Sequence, residues 1–261
     1  MFTLTNDPDG NELAVFARDP KGNLAKPVFV PTGGVGTGGG FGNQGALALG
    51  DDGKYLYAVN PDSDSITVFR LGRRARPVQV VESGGVRPIS LTVHRNLLYV
   101  LNAGGATTGG EDTICGFEIE ENGRLKPIKN SVQRLSAANT APAQVGFNRS
   151  GDVLTVTEKA TNKIALFAID NKGLPTDRTF IDSKGQTPFG FEYTRDDLLV
   201  VSEAFGGPPT PARCPRMNST RTREHSRRSV LRSRPSRAPR AGSRLPATAT
   251  TRTPPTRAAT R

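Results

Sequence analysis

Five short apolar runs in this chain end alike, each on a polar residue: "MFTLTN" at Asn6, "KYLYAVN" at Asn60, "NLLYVLN" at Asn102, "VLTVTE" at Glu158 and "LLVVSE" at Glu203. These ends lie 54, 42, 56 and 45 positions apart. Repetition at such a period marks one supersecondary unit stacked on copies of itself, and it narrows the possible folds more than any other feature of the sequence.

Each unit holds more than one strand. A shorter run precedes the repeat ("GALAL", "ISLTV", "AQVGF", "GFEY") and joins it through Asp-Gly, Ser-Gly or a polar pair, the signature of a tight antiparallel hairpin. A third run follows ("LAVFAR", "ITVFRL", "ICGFEI", "IALFAI"), placing phenylalanines at 16, 69, 117 and 167. A fourth segment comes after turns such as "EENGRL" and "DNKGLPT". The 29 glycines and 20 prolines suit short strands and turns, and no stretch reads as a helix. Four short antiparallel strands per period describe a blade of a β-propeller. The expected fold class is therefore all-β, a partial propeller of about three and a half four-stranded blades. Blades bury their faces on neighbours, so an open arc is expected to self-associate through its exposed edges.

The formal charge of +11 belongs to the C-terminal tail. From Gly207 onward there are fourteen arginines, no lysine, no aromatic residue and one acid, Glu224, leaving 21 basic and 23 acidic groups before it. The expected domains are residues 1–206, the incomplete propeller, and 207–261, a disordered Arg/Pro-rich tail. Such a segment has almost no apolar area with which to offset its ordering entropy. The tail is also read as out of frame. Reading its codons one base earlier turns each threonine into NAC, alanine into NGC, and arginine and proline into NCG and NCC. Thr248 to Ala259 then permit Asn-Gly-Asp-Tyr-Ala-Tyr-Thr-Thr-Asn-Thr-Gly-Ser, the turn and strand of a further blade. Its last asparagine falls at position 256, 53 after Glu203. A basic arm also binds phosphates without regard to sequence, so no specific nucleic-acid partner is expected.

The stretch "DGKYLYAVNPDSDSITVF" resembles the lactonase-like seven-bladed propellers, the group that includes propeller-type 6-phosphogluconolactonase and carboxymuconate cyclase. The resemblance runs from Met1 to about Gly207, with turn, Tyr-x-Tyr strand and "ITVF" strand recurring in order. It implies seven blades and an enzyme that opens or closes a lactone ring on a small carboxylate. It also implies a histidine or arginine, in a Pro-Arg-His-like context, before an inner strand. This chain has "PAQVGF" there, with Gln144 in the histidine's place, and glutamine is no general base near neutral pH. His94 is expected in a hairpin turn at the opposite rim, and His225 lies in the tail. The departure supports a second reading, a non-catalytic propeller that binds a ligand or protein through its channel face.

In a blade, the innermost strand crosses from rim to rim and the next strand returns. Residues just before the first strand and just after the second therefore share one mouth of the central channel. The first set holds Gln44, Arg87, Gln144 and Phe189; the second holds Asn60, Asn102, Glu158 and Glu203. The candidate site assigns proton transfer to Glu158 and Glu203, anion binding to Arg87, and substrate contacts to Gln144, Asn60, Asn102 and Gln44. The competing account has the Asn and Glu side chains capping loop backbones.

Other signals point to less. Gly34, Gly36 and Gly39 match dinucleotide-fingerprint spacing, but no helix follows, so the segment is read as a flexible connector. Asp62 and Asp64 read as a solvated loop; no metal and no cofactor are expected. Asn148 and Asn218 head glycosylation sequons, and Cys115 and Cys214 form no disulfide framework. No apolar run has the length to span a bilayer as a helix, no membrane partner is expected, and the start "MFTLTNDPDG" lacks the form of a signal peptide.

Overall fold

The computed structural model describes residues 1–40, 42–105, 110–205 and the backbone of 229–232. They form five antiparallel sheets in chain order. The first holds β1 (Phe2–Leu4), β2 (Glu12–Val15) and β3 (Val28–Pro31). The second holds β4 (Leu47–Leu49), β5 (Tyr55–Asn60), β6 (Ser65–Arg70) and β7 (Arg76–Glu82). The third holds β8 (Pro88–His94), β9 (Leu97–Ala103), β10 (Asp112–Ile119) and β11 (Leu125–Pro127), with β12 (Gln133–Arg134) also on β10. The fourth holds β13 (Pro142–Phe147), β14 (Val153–Glu158), β15 (Lys163–Ile169) and β16 (Pro175–Asp182). The fifth holds β17 (Pro188–Tyr193), β18 (Leu198–Glu203) and β19 (Ser229–Arg232).

Five sheets, three of them with a full set of strands, exceed the expected count slightly. The difference lies at the ends: "MFTLTN" opens a sheet of its own as the counterpart of β5, and the last sheet adds β17 and β18. Of the tail, only β19 is described, paired with β18 where the expectation was disorder. Val230 and Leu231 make it one of the tail's few β-prone tetrapeptides, and β18 offers an edge to pair with. The remaining tail positions, including Thr248 to Ala259, lie outside the described residues.

The second and third strands form the centre of each blade. A leucine of the second faces a phenylalanine of the third in all three complete sheets: Leu56 and Phe69, Leu98 and Phe117, Leu154 and Phe167. All six are buried. Each pair packs toward the preceding sheet, so Leu56 and Phe69 meet Leu13, while Leu98 and Phe117 join Tyr57, Ile66 and Val68. Leu154 and Phe167 join Tyr99, Leu101 and Ile114 in the same way. Fully burying a side chain of this size contributes about 1.5–3 kcal/mol, so these interfaces outweigh any polar contact nearby.

A polar latch accompanies the apolar contact at the rim holding the hairpin turns. The Tyr57 hydroxyl donates to the Gly123 carbonyl of the next sheet at 3.2 Å, and the Tyr99 hydroxyl to the Gly173 carbonyl at 2.6 Å. Both glycines sit in left-handed turns, with φ of 78° and 76°, and a side chain on Gly123 would strike the Tyr55 ring. The fourth sheet has Thr155 at the tyrosine's position, and its hydroxyl bonds Tyr193 at 2.6 Å.

Burial pushes both Tyr57 and Tyr99 well above the ordinary tyrosine range. An unfolded tyrosine ionises near pH 10, so above that pH the unfolded chain holds fewer protons than the folded one. Stability is therefore fully present below about pH 10 and is lost as pH rises beyond it. Urea midpoints at about pH 8 and about pH 11 should show this fall, and replacing both residues (Y57F, Y99F) should flatten it. Each replacement should also cost about 1 kcal/mol at the lower pH through the lost latch.

Candidate functional site

The rim opposite the hairpin turns is built from the same elements in the third, fourth and fifth sheets. Where the chain enters an inner strand, a non-glycine residue with positive φ precedes a proline: Arg87 before Pro88 (φ 60°), Ala141 before Pro142 (46°) and Thr187 before Pro188 (58°). This left-handed conformation is unfavourable for such residues, and a following proline restricts them further. Neighbouring groups hold it. The Arg87 amide donates to Asp64 at 2.7 Å, the Thr187 amide to Asn162 at 2.7 Å, and the Thr140 amide to Asp112 at 2.6 Å. The carbonyls of Arg87, Ala141 and Thr187 accept from Ala103, Lys159 and Ala204, the residues that end or follow each second strand.

The polar residues at the strand ends turn inward. Glu158 is fully buried; Oε1 accepts from the Ser136 amide at 3.0 Å, and Oε2 from the Thr161 hydroxyl at 2.6 Å and from the Ser136 hydroxyl. Glu203 is half-buried and accepts from the Gly185 amide at 2.6 Å and the Ser183 hydroxyl at 2.8 Å. Asn60, fully buried, donates to Ser65 and Thr67 and accepts from Asn11 at 3.0 Å. Asn102, also fully buried, donates weakly to Thr113 at 3.4 Å, while its oxygen is unpartnered. In each repeat, then, this position braces its own third strand or the loop leading into its own inner strand.

The inner-strand set is engaged as well. Arg87 forms an ion pair with Asp62 at 2.8 Å. Gln144 exchanges two hydrogen bonds with the backbone of Phe191, both at 3.0 Å, and so ties β13 to the inner strand of the next sheet, β17. Exposed Gln44 donates its amide to the Ala143 carbonyl at 3.0 Å and lies against Gly190. Phe189 accepts from the Thr157 hydroxyl through its carbonyl, with Lys159 over its ring at 5.5 Å. Burial lowers the Lys159 pKa, and its ammonium donates to the Gly42 carbonyl at 2.5 Å.

Sequence reasoning missed the path of the glycine-rich segment. Gly42–Gly45 runs against the inner strands of three later sheets: β8, through the Asn43 side chain to the Ile89 carbonyl and the Leu91 amide to the Gly45 carbonyl; β13, through the Gln44 backbone amide to the Ala143 carbonyl; and β17, through Gln44 against Gly190. Gly34 packs on Asn60 and Ser63, and Gly36 on the backbone of Asn6, with no room for a side chain. The segment is fitted, where slack was expected, and the prolines after Arg87, Ala141 and Thr187 were the available signal for the strained rim. Asp62 and Asp64 serve Arg87, and no group of three metal-ligating residues occurs among the described residues. Asn148 is buried and its amide donates to Ser150, Asp152 and Asp197, so the sequon is not presented; Asn218 lies outside the described residues. His94 sits at the hairpin rim, as expected, beside Phe147. Cys115 is buried next to Ser131. No helix among the described residues is long and apolar enough to cross a membrane.

A family profile described as "Lactonase, 7-bladed beta-propeller" matches residues 10–133 and 111–204. Among solved structures, the periplasmic gluconolactonase of Pseudomonas aeruginosa is 19% identical with a TM-score of 0.57, over 77% of this chain and 59% of that one. A candidate 6-phosphogluconolactonase from Bacteroides uniformis is 16% identical with a TM-score of 0.52, over 77% and 74%. The PQQ-bound aldose sugar dehydrogenase of Streptomyces coelicolor is 12% identical with a TM-score of 0.54, over 85% and 71%. At these identities the likeness is one of fold. No curated protein matches the sequence.

The bracing of Glu158 has a measurable consequence. Truncation (E158A) leaves a half-buried amide and two hydroxyls without their acceptor and should destabilise the protein by about 2–4 kcal/mol in chemical denaturation. The amide variant (E158Q) keeps one acceptor and should cost about 1 kcal/mol.

Proposed function

The chain belongs to the seven-bladed lactonase β-propeller family, and on that premise we propose that the whole protein acts on the lactone ring of a small carboxylate. The observation that carries this reading is the family match over residues 10–204. Arg87 binds the ligand's carboxylate by paired hydrogen bonds in exchange for Asp62, and the amides of Gln44 and Gln144 with Asn60 and Asn102 shape the mouth around it. For ring opening, water adds to the lactone carbonyl as it gives a proton to a carboxylate. The ring C–O bond then breaks, and the proton passes to the leaving oxygen, giving the hydroxy acid. Glu203, half-buried, is the better placed of the two carboxylates for this role. Glu158 has both oxygens bound and serves it only if the loop at Ser136 yields.

Two observations favour the second reading, a propeller that binds without turnover: Gln144 stands where the family resemblance implies histidine, and its amide is held by Phe191. We therefore propose that the chain as written is inactive. The distinguishing experiment assays the full chain on gluconolactone, its 6-phosphate and a carboxymuconolactone, alongside direct binding of the corresponding acids. Binding without ring opening supports the non-catalytic reading. Ring opening that survives E203Q and E158Q removes both carboxylates from the mechanism.

In either case R87A should weaken binding of the acid by about 1.5–3 kcal/mol, the range for a hydrogen bond to a charged group. D62A should strengthen it, since the guanidinium is then released from its ion pair, and isothermal titration measures both.

A further inference from the structure

The fifth sheet pairs its second strand differently from the others. β5 pairs with β6 at six positions and β14 with β15 at six, whereas β18 pairs with β19 at four, Leu198 to Val201. β6 begins five residues after Asn60 and β15 five after Glu158, but β19 begins 26 after Glu203. The residue facing Leu199 is Leu231, where the complete sheets place Phe69, Phe117 and Phe167 opposite the equivalent leucines. The tail holds no phenylalanine with which to complete the pattern.

The third strands share one pattern, Ile-x-x-Phe-x-Leu/Ile, in "ITVFRL", "ICGFEI" and "IALFAI". Cys214 to Ser219, "CPRMNS", contains cysteine, methionine and asparagine, whose codons leave little freedom. Read one base earlier, cysteine (UGY) becomes NUG, which is Val, Leu or Met, and proline becomes YCC, Ser or Pro. Methionine (AUG) becomes NAU, which permits Tyr, and asparagine after it becomes GAA, glutamate without alternative. A UCN serine becomes Phe or Leu. The result, Val-Ser-x-Tyr-Glu-Phe, has an apolar residue, an aromatic three later and an apolar residue two beyond that. Its aromatic falls at the codon of Met217, 14 after Glu203, within the longer of the two spacings found in the complete sheets: 9 from Asn60 to Phe69, 15 from Asn102 to Phe117 and 9 from Glu158 to Phe167. Thr220 to Ser226 in the same frame permit Asp-x-Asp-x-Gly-Thr-Leu, a turn and strand start like "EENGRL". These two matches are independent of the one at Thr248 to Ala259.

We propose that the outer edge of β18 is the docking edge for a strand of the pattern Val-Ser-x-Tyr-Glu-Phe, encoded one base upstream in the codons of Cys214–Ser219, and that β19 stands in for it. The aromatic at the Met217 codon is the counterpart of Phe69, Phe117 and Phe167 and packs against Leu199. This inference rests on the fold and is independent of lactone chemistry.

Resequencing the gene gives the first test. UCN codons at Ser219 and Ser226 are required; an AGY codon at Ser219, or a UGA spanning the Arg223 and Glu224 codons, overturns the proposal without any protein being made. The second compares the full chain with the product of the same gene after insertion of one base among the codons for Phe205–Pro209. Amide exchange at Leu198–Val201 should slow at least tenfold in the restored protein, and equal rates overturn the proposal. Should the restored protein be insoluble, a labelled synthetic peptide of the restored strand and turn is titrated into the existing full chain. Displacement of β19, seen as changed exchange at Val200 and Val201, supports the proposal. Binding no better than that of a scrambled peptide refutes it.

Discussion

Everything in this molecule depends on a leucine of one strand facing a phenylalanine of the next, with the pair buried against the preceding sheet. Leu56 and Phe69, Leu98 and Phe117, and Leu154 and Phe167 fix which face of each blade is apolar and which way it looks. Because side chains alternate across a strand, this also sends Tyr57 and Tyr99 to the other face, where their hydroxyls reach the turn of the following sheet. One pairing thus sets register within a blade and contact between blades. A slip by one residue would reverse both, so the repeat resists it strongly.

The opposite rim obeys a different constraint. Three of the four returns of the chain into an inner strand, those into β8, β13 and β17, pass through a left-handed residue before proline, and these places are held by side-chain acceptors: Asp64, Asn162 and, one residue earlier, Asp112. Strain of this kind costs on the order of 1–3 kcal/mol per residue and persists only where the surroundings enforce it. Glu158 and Glu203 add to that enforcement by holding the loops that lead into β13 and β17, while Asn60 and Asn102 brace the third strands β6 and β10. Polar residues gather on this rim because the loops demand acceptors, whether or not a ligand is bound.

Much of this was legible in the sequence. Period, strand order and the polar strand ends followed from alternation and turn chemistry, and the phenylalanines at 69, 117 and 167 recurred with the same period. Alternation says nothing about which loop folds back onto a strand end, so the complete engagement of Glu158 by Ser136 and Thr161 lay beyond it. The Gly42–Gly45 segment was read as slack for the same reason: glycine signals freedom or close approach equally, and only neighbours distant in sequence, Ile89, Leu91 and Ala143, decide between them. Composition was informative in another way. A body with near-balanced charge beside a tail of arginine without lysine sets the two segments apart, and that contrast is the ground for expecting a change of reading frame.

Scaffold and chemistry draw on the same groups here, and that is why the family match does not by itself carry an activity. A carboxylate that moves protons needs an acceptor position left open to substrate, whereas a carboxylate that closes a loop is most stabilising when every position is filled. Glu158 meets the second requirement in full. Glu203 likewise binds a loop hydroxyl and a loop amide, Ser183 and Gly185, and differs in being half-buried where Glu158 is fully buried. Among the four sheets that have an inner strand, the fifth, which holds Glu203, is also the one whose second strand has the shortest pairing on its outer side. A ligand that reaches Glu203 must share or displace the loop contacts made through its Oε1.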